Sequence, residues 1–199
     1  MNETRNNSDK MSIPIQIIPR IESLDLKNVG CRDSLHMDFV PRLNIITAEQ
    51  GGLGKTTILS SIMSEVCPSN DMGLVAPRLV PGKSRIAVQL MPSGRAPRVV
   101  SSREIPPQTD DESHGQYVMR LLKSSLAMAE PDAAVLFDDE VLGRLDIPNY
   151  SKAVKWLNAT TAQVICVIKR LNRADFPEAR IYACAWDRDK QMARMGLLR

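Results

Sequence analysis

The chain has 199 residues, of which 43% are apolar, with a formal net charge of +3 and four cysteines. That is enough chain for one domain with a real core, and so mild a charge leaves a nucleic-acid partner open without requiring one. Cys31, Cys67, Cys166 and Cys184 form no C-x-x-C pair and read as free thiols of a reducing cytosol; no leader and no long uncharged apolar run is present, which excludes a membrane span.

Residues 1–14 are polar and rich in Asn, Ser and charge, and read as a disordered tail ahead of a single domain over 15–199. IESLDLKNV (21–29) alternates like a half-buried strand. LHMDF (35–39) follows the turn-like GCRDS as a second strand, and LNIIT (43–47) is apolar enough for a buried central one. In TTILSSIMSEV (56–66), Ile58, Leu59, Ile62, Met63 and Val66 fall at helical spacing. The stretch 68–107 is broken by Pro and Gly. Within it RIAVQLM (85–91), the turn SGR and PRVVSS predict a small antiparallel hairpin. Val118, Leu121, Leu122, Leu126 and Ala129 mark a second helix from His114. AAVLF (133–137) reads as a strand, 150–157 as a short helix, QVICVI (163–168) as a buried strand, and RIYACAW, DRDK and QMARMGLL as a closing hairpin. Strands alternating with helices predict an α/β fold with a mainly parallel core sheet, plus an antiparallel β subdomain.

Three short segments carry the chemistry. GGLGKTT lies between the strand 43–47 and the helix that follows, which is the setting of a phosphate-binding P-loop. Glycines let the chain turn tightly enough for backbone N–H groups to point inward, and the helix N-terminus adds a favourable dipole. Gly51, Gly52, Leu53, Gly54, Lys55, Thr56 and Thr57 make up the loop; Lys55 would reach the terminal phosphates and Thr56 would take Mg²⁺. The usual spacing asks for glycine where Glu49 stands, and Ala48, the nearest small residue, comes one place early.

A buried strand ending in acidic residues supplies the second part. One carboxylate orients a Mg²⁺ shell and the next polarises an attacking water. Asp139 as the metal residue and Glu140 as the catalytic one is the preferred register, because Asp146 then falls at the aspartate of the motif described below; Asp138 with Asp139 is the competing register. The third part, Ser113, His114, Gly115 and Gln116, opens a helix, where Ser113 alone would be an N-cap.

In this order the segments resemble ABC-type ATPases, and among them the SMC, RecF and related ATPase heads. IESLDLKNVGCRDSLHMDFVPRLNIIT looks like their opening, SHGQ like their signature motif, and DEVLGRLD (139–146) like Walker B plus D-loop with Val141 in place of proline. The closing hairpin looks like theirs too, so the resemblance spans 21–196. It implies a P-loop NTPase head that binds ATP and Mg²⁺, hydrolyses ATP with Glu140 and Lys55, and dimerises head to tail as a homodimer or heterodimer. Ser113, Gly115 and Gln116 would then contact the partner's ATP, with Asp146 and Lys169 also at the nucleotide. Gln108 is the candidate Q-loop ligand of the metal, with Gln89 second. The family histidine is replaced by Lys169, which implies slow hydrolysis, and 108–113 leaves no room for a helical arm. That implies a further protein partner in the cytoplasm, in DNA processing or genome defence, with DNA itself left open.

Other readings weigh less. QGGLGKTT also resembles the deviant P-loop of ParA and MinD ATPases, but Gln50 stands where those carry lysine. A nucleotide-dependent switch with little turnover and a transporter subunit are the remaining alternatives. Lys152, Lys155 and the cluster Lys169, Arg170 and Arg173 read first as solvated charge, Trp156 and Trp186 as packing residues, and His36 and His114 lack a metal-ligand pattern.

Overall fold

The computed structural model describes residues 15–48, 50–67, 77–92, 100–101, 108–129 and 131–198. Its centre is a seven-stranded sheet in the order β10-β9-β4-β8-β7-β1-β6. These strands are β1 (Ile15–Pro19), β4 (Leu43–Thr47), β6 (Val100–Ser101), β7 (Ala133–Phe137), β8 (Gln163–Ile168), β9 (Arg180–Asp187) and β10 (Met192–Leu197). The inner four, β9, β4, β8 and β7, are parallel. β1 joins β7 antiparallel and β10 joins β9 antiparallel. A second sheet, β3-β2-β5, is wholly antiparallel and contains β2 (Ile21–Val29), β3 (Arg32–Asp38) and β5 (Arg85–Leu90).

Both faces of the large sheet are covered, and this explains its continuous apolar runs. Ile45, Val135, Val164 and Cys166 point into one core, beneath α2 (His114–Ala129) and α4 (Ile147–Ala159). Their neighbours Ile46, Leu136, Ile165 and Val167 point into the other, with α1 (Lys55–Val66) and the inner face of the small sheet. A one-residue alternation thus feeds two cores. Gln163 ties the two sheets together: its amide donates to the carbonyls of Ile21 (2.8 Å) and Val40 (2.9 Å) and accepts from the Ile21 N–H (2.8 Å). This satisfied, buried amide holds the small sheet at one orientation, and an apolar residue there would strand the backbone groups it serves.

The structure departs from the sequence expectation at the hairpin, at β1 and at α3 (Asp139–Gly143). The hairpin over 85–101 is not formed. β5 pairs with β2 in the small sheet, whereas β6 pairs with β1 at the edge of the large one; the turn SGR lies outside the described residues. Each strand satisfies an edge that would otherwise expose a row of backbone groups, and such a choice of partner leaves no local mark. β1 itself begins just after Pro14, ends in Pro19 and is too short to show a period, yet every residue of it is buried. The expected tail at 1–14 and Glu49 lie outside the described residues. No helix separates α1 from α2 among the described residues, and none is long and apolar enough to cross a membrane.

The small sheet carries one titrating cluster. His36 faces Asp25 at 2.7 Å and Asp38 at 3.0 Å. Its hydrogen bond to Asp25, followed by the other carboxylate contacts, raises its pKa above 6.5. A raised folded-state pKa adds stability that is complete below the unfolded value and is lost as pH rises through the folded one. The ring is well exposed, so solvent keeps the effect small. Asp25→Asn should move the His36 titration back toward 6.5 in an NMR pH series; an unmoved midpoint would remove Asp25 as the cause.

Candidate functional site

β4 ends at Thr47, and the glycine loop carries the chain to α1, which starts at Lys55. Gly52 and Gly54 adopt left-handed backbone, with φ of 74° and 73°. An added Cβ on Gly54 would sit 3.2 Å from Cys31 Sγ and 3.6 Å from Arg32 Nε. Left-handed backbone costs a side-chain-bearing residue about 1–2 kcal/mol. Gly54→Ala should therefore lower the melting temperature by roughly 2–8 °C; an unchanged melting curve would mean the loop does not need this conformation.

The loop floors a cleft of about 590 Å³. Gly30, Cys31 and Arg78 close one side, and Asp139 and Lys169 the other. Lys55 is buried, and its ammonium donates to the Gln50 carbonyl at 3.1 Å, folded over its own loop. Thr56 lies on the first turn of α1 and donates its hydroxyl to Asp138 Oδ2 at 3.3 Å. Asp138 follows the last residue of β7 and caps α3 (Asp139–Gly143), accepting from the Asp139 N–H. Asp139 pairs with Lys169, just past β8, at 2.5 Å. Glu140 turns away and pairs with Arg144 at 2.9 Å, one turn along α3.

The two aspartates titrate together. Burial, followed by the hydrogen bond with Asp139, pushes Asp138 up to about 6. Burial would raise Asp139 as well, but its hydrogen bond with Asp138 and its pairing with Lys169 hold it below the ordinary carboxylate range. Asp138 thus keeps the shared proton longer, while Asp139 is the ionised member beside a lysine. Oxygen donors only, with a hydroxyl and a carboxylate side by side at the glycine loop, suit a hard divalent cation such as Mg²⁺.

The chain matches no protein-family model and no curated protein. Solved structures do match it. The SMC head domain from Thermotoga maritima aligns with a TM-score of 0.56 at 12% identity, covering 90% of this chain and 99% of that one. An SMC head bound to the C-winged helix domain of ScpA aligns at 0.59 and 12% identity, covering 90% and 98%. The fold is that of SMC head domains.

On this SMC-head fold the expected site residues separate into two groups. Residues 51–57, Asp139 and Lys169 line the cleft, and Asp138 reaches its Thr56 without lining it. Ser113, Gly115, Gln116 and Asp146 do not line it. Ser113 and Gln116 form a reciprocal capping box at the start of α2: the Ser113 N–H donates to Gln116 Oε1 (2.8 Å), and the Gln116 N–H to Ser113 Oγ (3.3 Å). Asp146 caps α4 by accepting from the Asn149 N–H, and an added Cβ on Gly115 would lie 3.6 Å from Asn149 Nδ2. The SHGQ segment and the start of α4 therefore form one surface, apart from the P-loop of the same chain. Gln108 donates to the Glu112 carbonyl (2.7 Å) beside that surface and does not line the cleft.

Sequence reasoning missed the support beneath the loop. Arg32 is buried and donates through Nη2 to the Leu53 carbonyl (2.8 Å) and to Cys184 Sγ (3.1 Å). The only available signal was a basic residue at an inward strand position. Cys166 and Cys184 are buried free thiols, both raised by burial. Trp156 packs against the first core, but Trp186 is 40% exposed, which corrects its reading as a packing residue. It lies near the end of β9, on the wall of a cleft.

Proposed function

We propose that the chain is an ATPase head that binds Mg-ATP on residues 51–57 and dimerises head to tail across it. The observation that carries this reading is the contact of Thr56 with Asp138, which joins the P-loop helix to the acidic end of β7. The separation of the SHGQ surface from the cleft supports the dimer, because a signature serine acts on a nucleotide held by the other copy. Backbone N–H groups of the loop and the N-terminus of α1 would hold the phosphates, and Lys55 would exchange the Gln50 carbonyl for a terminal phosphate oxygen. Mg²⁺, when bound by Thr56 and Asp138, would neutralise phosphate charge.

The geometry favours Asp138 for the metal and Asp139 for the water, the competing register of the sequence reading. Asp139 is ionised, borders the cleft and is oriented by Lys169, whereas Glu140 is tied to Arg144. The same Lys169 pairing weakens Asp139 as a base, and that observation favours the second reading, a nucleotide switch with slow turnover. A protein partner in the cytoplasm fits a head with no helical arm among the described residues; one of the matching SMC heads is itself bound to a ScpA domain.

Light scattering of the purified chain with Mg-ATPγS, with Mg-ADP and without nucleotide tests the reading. A dimer only with the triphosphate analogue is expected. A monomer in all three, or a dimer in all three, would overturn dimerisation on ATP.

A further inference from the structure

A second, larger cleft of about 1020 Å³ lies behind the P-loop. It opens where β4, β8 and β9 end, outside the carboxyl ends of three parallel strands, which is where open α/β sheets place ligands. The segment after β8 brings Lys169, Arg170 and Arg173 to one wall, and the end of β9 with its following turn brings Trp186 and Arg188 to the other. No carboxylate lines it among the described residues. Of the nearby acids among the described residues, Asp139 is engaged by Lys169, Asp187 by Arg194, Asp175 accepts from Asn172 and Tyr150, and Asp189 sits in the turn; neither Asp175 nor Asp189 lines the cleft. Arg170, Arg173 and Arg188 are exposed, with no carboxylate partner among the described residues.

We propose that this cleft binds single-stranded nucleic acid, with a base stacked on Trp186 and backbone phosphates on Arg170, Arg173 and Arg188. The combination is what selects the ligand. Guanidinium groups with no carboxylate partner among the described residues attract any polyanion, but an indole 40% exposed in the same hollow offers a surface for a planar base. A duplex keeps its bases stacked and presents a convex phosphate surface, so it would not bring a base to the indole. An acidic peptide would use the arginines and ignore it. Gln50 and Leu53 of the P-loop form part of the cleft wall, so a strand here would lie directly behind the nucleotide loop. The inference is independent of ATP hydrolysis, and its test uses no nucleotide.

Fluorescence anisotropy of the full chain with a labelled dT20 strand, the corresponding duplex and poly-glutamate separates the possibilities, and U20 separates RNA from DNA as the strand. Tightest binding of dT20 or U20 is expected, weakened about tenfold by Trp186→Ala and largely restored by Trp186→Phe. Arg170→Ala with Arg173→Ala should flatten the salt dependence of log affinity by about 0.7 for each phosphate no longer neutralised. Trp186 is on the surface, so the variants should melt with the parent. Duplex or poly-glutamate binding as tight as dT20, or strand binding indifferent to Trp186, would overturn the proposal.

Discussion

Lys55→Ala should abolish nucleotide binding, weakening ATP affinity at least a hundredfold while leaving the fold intact. The ammonium is buried at the N-terminus of α1 and satisfied only by the Gln50 carbonyl among the interactions shown by the described residues. Asp139 lies across the same cleft and feels its charge, but no carboxylate among the described residues is in direct contact with the ammonium, so it is poised for an anion: phosphate oxygens would repay its desolvation far better than one carbonyl does. Isothermal titration with ATP measures the loss, and circular dichroism checks the fold. Unchanged affinity would sink the P-loop assignment.

The three carboxylates after β7 should divide sharply. Asp139→Asn is expected to slow turnover by two to four orders of magnitude, the range for removing a positioned general base, and to leave a dimer that persists with Mg-ATP. Asp138→Asn should instead weaken the Mg²⁺ dependence of nucleotide binding, since Thr56 contacts Asp138. Glu140→Gln should change turnover little, because its side chain pairs with Arg144 on the exposed side of α3. Steady-state phosphate release and light scattering on the three variants decide the register. If Glu140→Gln traps the dimer and Asp139→Asn does not, the register that aligns Asp146 with the D-loop aspartate is restored.

That pair of registers shows where sequence reasoning ends. Counting back from Asp146 selects Asp139 and Glu140, because spacing assumes one backbone path between the two motifs. The chain instead turns into α3 directly after Phe137, with Asp138 as its cap, and this turn decides which carboxylate faces Thr56. A helix of five residues has no period to detect.

The sequence by itself determined the parts governed by local rules. The apolar runs at 43–47, 133–137 and 163–168 announced buried strands, the spacing from Val118 to Ala129 announced α2, and glycines before Lys55 announced a tightly turning loop, in which Gly52 and Gly54 take left-handed backbone. These signals are local because side-chain period and backbone freedom are properties of a few neighbouring residues. Only the tertiary structure decided that β5 and β6 part company, that β1 enters the sheet between β7 and β6, that Arg32 braces Leu53, and that Trp186 shares a cleft with Arg170 and Arg173. Each joins groups far apart in the chain. Edge hydrogen bonds, buried guanidinium contacts and cleft walls depend on which surfaces meet once the two cores close, and no short window of sequence carries that information.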